Sequence, residues 1–226
     1  EALIFLLHLC IYLEKLGIAF RTNVSLGKTT NLEQLKRQGY KAIFLAIGAY
    51  SGVSLGVKGE DSNGVYSGVG FLRRVNLGIR TPLGKKVAVI GGGNTALDAA
   101  RTALRLGAER VAILYRRTRA EMPASPLEIE DAEAEGVAIH YLIAPTKITR
   151  TSPVSLQMTC VNMELGEPDA SGRRRPIPVP GSEHNLEFDN IIVAISQRPE
   201  MEVLSDQNGK PLFAITPWGT LQVVQD

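Results

Sequence analysis

Cysteine and histidine are scarce in this chain. Its 226 residues hold two cysteines, Cys10 and Cys160, and three histidines. With no CxxC pair there is no dithiol redox centre and no spacing for an iron–sulfur cluster. Both cysteines read as small apolar residues. His8, His140 and His184 are scattered and make no metal-ligand set, so no metal site is expected. An excess of one charge is also lacking. Lys and Arg number 25 against 23 Asp and Glu, a net charge of +2 that gives a nucleic-acid partner no footing. No apolar run reaches the roughly 20 residues needed to cross a bilayer. Residues 2–16 (ALIFLLHLCIYLEKL) are apolar nearly all round as far as Glu14 and predict a buried helix. They carry neither the basic start nor the small-residue cleavage site of a signal peptide. A cytoplasmic protein away from the membrane is therefore expected. Glu1 in place of Met points to a chain that begins inside a longer protein. No Ser/His/Asp or Cys/His arrangement is present, so no catalytic residue is assigned, and no internal repeat is visible.

What is present is concentrated in residues 85–117, KKVAVIGGGNTALDAARTALRLGAERVAILYRR. An apolar run, Val87 to Ile90, leads into Gly91-Gly92-Gly93-Asn94-Thr95-Ala96. A helix pattern follows, with Leu97, Ala100, Leu104 and Leu106 as its apolar side. A second strand, VAILY, stops at Arg116 and Arg117. This is a dinucleotide fingerprint in its strand–turn–helix–strand context. Gly91 permits a sharp turn, Gly93 lets backbone approach a pyrophosphate, and Ala96 lets the helix pack closely on the strand. The free N–H groups and positive dipole end of the helix then favour phosphate. An NAD site usually places Asp or Glu about 20 residues past the fingerprint, on the ribose 2′-OH. Here Arg116 and Arg117 stand in that place, with Arg119 just beyond. Paired guanidinium groups suit a 2′-phosphate, which predicts NADP(H) rather than NAD(H). The competing reading of these arginines is a solvated basic edge.

Around this unit the spacing predicts strands at 18–24 and 41–47 and a short helix capped by Asn31 and ended by Gly39. A glycine-rich loop from Gly48 to Gly64 and a helix near 67–77 follow. Ser125-Pro126-Leu127-Glu128 reads as a capped helix start, with Gly136 as the stop. VAIHYL reads as a third strand. Residues 146–165 and 175–195 alternate like a β-meander, with Arg173-Arg174-Arg175 at an exposed tip. Asn190–Ile195 closes the unit, and TLQVV near the end predicts one more strand. Glu130, Asp131, Glu133 and Glu135 read as a solvated acidic face, and Asp98 and Arg101 as an i,i+3 ion pair.

The fingerprint segment, together with EMPAS, EDAEAEGV, EKLGIAFRTNVSLG, AIFLAIGAYSG and VAISQRPE, resembles the small (β) subunit of NADPH-dependent glutamate synthase and its flavoprotein relatives. These have the pyridine nucleotide–disulfide oxidoreductase-like fold. The resemblance implies an α/β architecture in which a Rossmann-like NADPH-binding domain, a parallel sheet plus a β-meander, is inserted into an FAD-type domain. The insertion would cover 84–195, with 1–83 and 196–226 as parts of the FAD-type domain. The two crossings would follow Ile47-Gly48-Ala49 and Val193-Ala194-Ile195-Ser196. The family's glycine fingerprint for FAD, its Gly-Asp flavin segment and its cysteine-rich iron–sulfur portion are absent from these residues. The resemblance implies hydride transfer from NADPH to FAD and a partner that is a large synthase or an iron–sulfur electron-transfer subunit. The site residues expected are Gly91, Gly92, Gly93, Asn94, Thr95, Ala96, Arg116 and Arg117, with no metal. The alternative is a noncatalytic NADP(H)-binding module or assembly subunit.

Overall fold

The computed structural model describes residues 2–206, 208–216 and 219–223. The chain divides into two compact units: residues 1–47 with 200–226, and Gly48–Pro199.

The first unit contains α1 (Ala2–Lys15) and α2 (Leu32–Arg37). Asn31 caps α2 as the sequence predicts. Its Oδ1 accepts from Gln34 N at 2.9 Å, and Gln34 Oε1 accepts in return from Asn31 N at 3.0 Å. Three expectations here are not met. Residues 18–24 and 41–47 form no strand, because a β-strand exists through its neighbour's hydrogen bonds and none of the described residues pairs with them. The α1 helix forms, but Leu7, Leu9, Ile11 and Tyr12 are exposed rather than buried. The strand expected at TLQVV includes Val224, which lies outside the described residues. Leu221 makes a single bridge to Ile215.

The second unit opens with β1 (Ser51–Gly52), β2 (Val65–Ser67), α3 (Gly68–Asn76), β3 (Lys86–Ile90), α4 (Asn94–Arg105), β4 (Arg110–Tyr115), α5 (Pro126–Ala134) and β5 (Ala138–Tyr141). It continues with β6 (Ile143–Ser152), β7 (Ser155–Pro168), β8 (Arg174–Pro178), β9 (His184–Phe188), β10 (Asn190–Val193) and β11 (Gln197–Arg198). Five strands make one parallel sheet in the order β2-β10-β3-β4-β5. The inner strands are near-continuous apolar runs because both faces of a parallel sheet are covered. Val87, Val89 and Ile192 face a core that includes Phe71 and Leu97, under the helices. Ala88, Ile90, Ile191 and Val193 face a second core built on Leu156, Met158 and Cys160 of β7. The antiparallel strands β6 to β9 therefore cover the sheet where another α/β unit would place a helix. This is the α/β class expected, with its β-meander.

One boundary departs from expectation. The compact unit is wider than 84–195, because β2 pairs with β10 and α3 carries Phe71 into the helical core. The divisions at 47/48 and 199/200 lie close to the two crossings, where β1 and β11 form an antiparallel pair. The strand β10, last of the parallel sheet in sequence, lies between β2 and β3. Its entry is fixed by two side chains. Asp189 Oδ2 accepts from Lys85 N and Lys86 N at 2.6 and 2.9 Å. Asn190 Oδ1 accepts from Gly84 N at 2.7 Å, and its Nδ2 donates to Gly64 O at 3.2 Å.

Candidate dinucleotide site

A cavity of about 540 Å³ opens at the carboxyl ends of β3, β4 and β10, wholly within Gly48–Pro199. Ligands of open α/β sheets bind in this position, beyond the strand ends. The cavity touches Gly91, Gly92, Gly93 and Thr95 on one side and Arg116, Arg117 and Arg173 on another.

The glycine turn is shaped by its surroundings. Gly91 has φ +142°, and a Cβ there would run into the Ala194 carbonyl. A Cβ on Gly92 would stand 2.6 Å from the Tyr115 ring. Gly93 is different: it is the N-cap of α4, and its nearest neighbour would be Pro123 Cγ at 3.8 Å. The protein leaves that place open. The Asn94 and Thr95 N–H groups belong to the first turn of α4, with no carbonyl a turn behind to bond. The Asn94 side chain works on the protein, its Oδ1 accepting from Ser125 N at 3.3 Å. Thr95 Oγ1 accepts from Gln197 Nε2 at 2.7 Å. Ala96 is fully buried, as are Ala99, Ala100 and Ala103. The packing face of α4 is thus mostly alanine, which brings the helix close to the sheet, while Leu106, expected on that face, is exposed.

The structure separates the two predicted arginines. Arg116 lines the cavity and, among the described residues, its side chain makes no hydrogen bond or ion pair. Desolvation, and then the like charges of Arg117 and Arg173, hold its pKa below the ordinary arginine value. Arg117 is buried. Its Nε donates to Arg174 O at 2.7 Å and its Nη2 to Asp169 Oδ2 at 2.5 Å. Arg119, the third basic residue of the run, turns away to Glu133 at 2.7 Å.

Three further residues escaped the sequence reading. Tyr115 lies against Gly92 and donates through its hydroxyl to Glu121 O at 2.7 Å, which fixes the loop after β4. Gln197 bonds Thr95 across 102 positions of sequence. Arg173 belongs to the arginine run read as an exposed tip, yet it lines the cavity. The run itself was its signal, and the fold-back of the meander over the strand ends was what the sequence hid.

The acidic face of α5 is not simply solvated. Glu135 takes Arg101 at 2.5 Å and Arg105 at 2.7 Å, so Arg101 pairs across helices rather than with Asp98. Ser125 stands at the N-cap of α5 with Pro126 after it, but its side chain makes no capping bond.

The sequence pattern of the pyridine nucleotide-disulphide oxidoreductases matches residues 10–223. The chain belongs to that family. It is 44% identical over 213 residues to the NADPH-Fe(3+) oxidoreductase subunit beta of Geobacter sulfurreducens (strain DL-1 / KN400), covering 92% of this chain and 31% of that one. It is 47% identical over 195 residues to the NADP(+)-dependent formate dehydrogenase subunit beta of Moorella thermoacetica, covering 85% and 27%. It is 37% identical over 196 residues to the glutamate synthase [NADPH] small chain of Escherichia coli (strain K12), covering 81% and 41%. The resemblance to the glutamate synthase small-chain group therefore holds, and this chain spans less than half the length of these relatives. Mycobacterium tuberculosis FprA in complex with NADPH shares the fold, with a TM-score of 0.69 and 21% identity over 89% of this chain and 58% of that one. Among the described residues no helix is long and apolar enough to cross a membrane.

Proposed function

We propose that this family member binds NADP(H) in the cavity beyond β3, β4 and β10, as the reductant-binding part of a cytoplasmic oxidoreductase assembled from subunits. The observation that carries the reading is the open place at Gly93, beside free helix N–H groups and within the same cavity as the unpaired Arg116. The turn from Gly91 to Thr95 would hold the diphosphate, with Ala96 packed behind it, and Arg116 would hold the 2′-phosphate. Its relatives support the cofactor and the partner, since they are named as NADPH- or NADP(+)-dependent subunits or small chains.

Hydride transfer asks little acid–base chemistry of the protein, because the cofactors carry the reaction and the protein aligns them. The cavity is lined by glycine and apolar residues together with Thr95, Tyr115, Ser196, Gln197 and three arginines. Cys160 is no redox thiol: it is sealed in the meander core, where burial pushes its thiol up to about 11. A flavin has no second G-x-G-x-x-G fingerprint among these residues to hold its diphosphate. FAD would come from sequence outside these residues or from a partner subunit. The FAD-type identity of residues 1–47 and 200–226 is part of the same proposal.

A single substitution tests the cofactor. Arg116→Glu should weaken NADPH about ten- to a hundredfold, the value of one or two charge-assisted contacts, and leave NADH unchanged. Equal affinity for the two cofactors in wild type and variant would end the NADP(H) reading. The second reading, a nucleotide-binding module without chemistry, rests on the missing flavin fingerprint. A visible absorption spectrum of the complete polypeptide separates them: flavin bands favour the oxidoreductase, and a colourless protein that binds NADPH favours the module.

A further inference from the structure

Arg117 cannot serve a ligand and its present partners with the same donors. Its side chain is 5% exposed, and its Nε and Nη2 are engaged by the Arg174 carbonyl and Asp169. Asp169 in turn organises the connection between β7 and β8. Its Oδ1 accepts from Ser171 N at 2.8 Å and Ser171 Oγ at 2.5 Å, and its own N–H donates to Arg173 O at 2.8 Å. The Ser171 bonds, and then the Arg117 charge, hold the Asp169 carboxyl below the usual carboxylate range. Arg117 therefore grips the turn on both sides of Arg173.

The residue so presented is free at its outer end. Arg173 donates from Nε to Ser171 Oγ at 3.0 Å, and it shares the cavity wall with Arg116. Its neighbour Arg174 is turned back to the Gly166 and Leu165 carbonyls at 3.2 and 2.6 Å. Arg116, Arg117 and Arg173 thus carry three positive charges against the one carboxylate of Asp169. The surplus matches a phosphate monoester, which carries about −1.5 to −2 at neutral pH.

We propose that Arg173 is the second arm of the 2′-phosphate clamp beside Arg116, and that Arg117 is a positioning residue holding the β7–β8 turn over the cavity. The proposal rests on the NADP(H) reading above. It assigns cofactor preference to a residue on the meander rather than on the fingerprint unit alone.

The test is calorimetric titration of the complete polypeptide with NADPH, NADH, 2′,5′-ADP and 5′-AMP. Arg173→Gln should weaken NADPH and 2′,5′-ADP about ten- to a hundredfold and leave NADH and 5′-AMP as in wild type, the latter two reporting that the fold is intact. Asp169→Asn keeps every arginine but cuts the strut from its far end, and should reproduce the loss. Neither Asp169→Asn nor Arg117→Gln should weaken NADPH further once Arg173 is Gln. Arg173→Lys should recover part of the preference. Unchanged NADPH affinity in Arg173→Gln overturns the assignment while the NADP(H) reading stands. A further loss from Arg117→Gln in the Arg173→Gln background overturns the positioning role and makes Arg117 a ligand. A wild-type protein that binds no NADPH ends both readings together.

Discussion

Three adjacent glycines do three different jobs, and the difference can be measured. Gly91 is required by its positive φ and by the Ala194 carbonyl behind it. Gly91→Ala should cost about 1–3 kcal/mol of folding stability, as strained backbone does. At Gly93 a methyl group meets nothing closer than 3.8 Å. Gly93→Ala should keep wild-type stability in urea denaturation yet weaken NADPH, since the new carbon occupies space offered to the diphosphate. If both variants lose stability alike, the distinction fails. The glycine turn was legible in sequence because its logic is local: strand, turn and helix follow one another within a dozen residues. The arginines were half legible. Arg116 and Arg117 look equivalent in a string, and what separates them is an aspartate 52 positions away.

At the scale of elements, α4 and α5 are joined through charge as well as through their buried faces. Glu135 is held below the usual carboxylate range, mainly by its hydrogen bond from Arg101. A carboxyl with a lowered folded pKa stabilises above its unfolded value and loses that contribution as pH falls through the folded one. Glu135→Gln should therefore lower Tm by no more than about a few degrees near neutral pH, as exposed pairs do. The gap from wild type should narrow as pH falls below the ordinary carboxylate range and through the lowered folded value. A gap that persists in acid would mean that packing, not charge, joins the helices there. The elements that sequence placed well, β3, α4, β4 and α5, are those whose period and caps agree with their burial. The strands expected at 18–24 and 41–47 had the right composition but no partner among the described residues, and composition alone does not make a strand. The place of Arg173 in the cavity was illegible for a related reason, since alternation reveals that β7 and β8 are strands without saying which face of the sheet they lie on.

For the whole molecule, the fold moves the working unit from 84–195 to Gly48–Pro199. A polypeptide of residues 48–199 should fold cooperatively and retain NADPH binding. One of residues 84–195 lacks β2 and α3 and should not, because Phe71 leaves the helical core and β10 gains an open edge. Thermal unfolding followed by circular dichroism decides between the two boundaries.

The place of β10 has one more consequence. The strand lies between β2 and β3, yet it is made after both, with the meander in between. On the ribosome, a nascent chain complete as far as Phe188 would lack the strand that joins β2 to β3 and forms part of the cavity floor. The sheet can seal only when the last parallel strand emerges and Asp189 and Asn190 latch onto Lys85, Lys86, Gly84 and Gly64. Such long-range pairing is slow and leaves strand edges open until it is done. Capture of the proposed cofactor would therefore wait for translation to pass β10, with unpaired strand edges exposed in the interval before it.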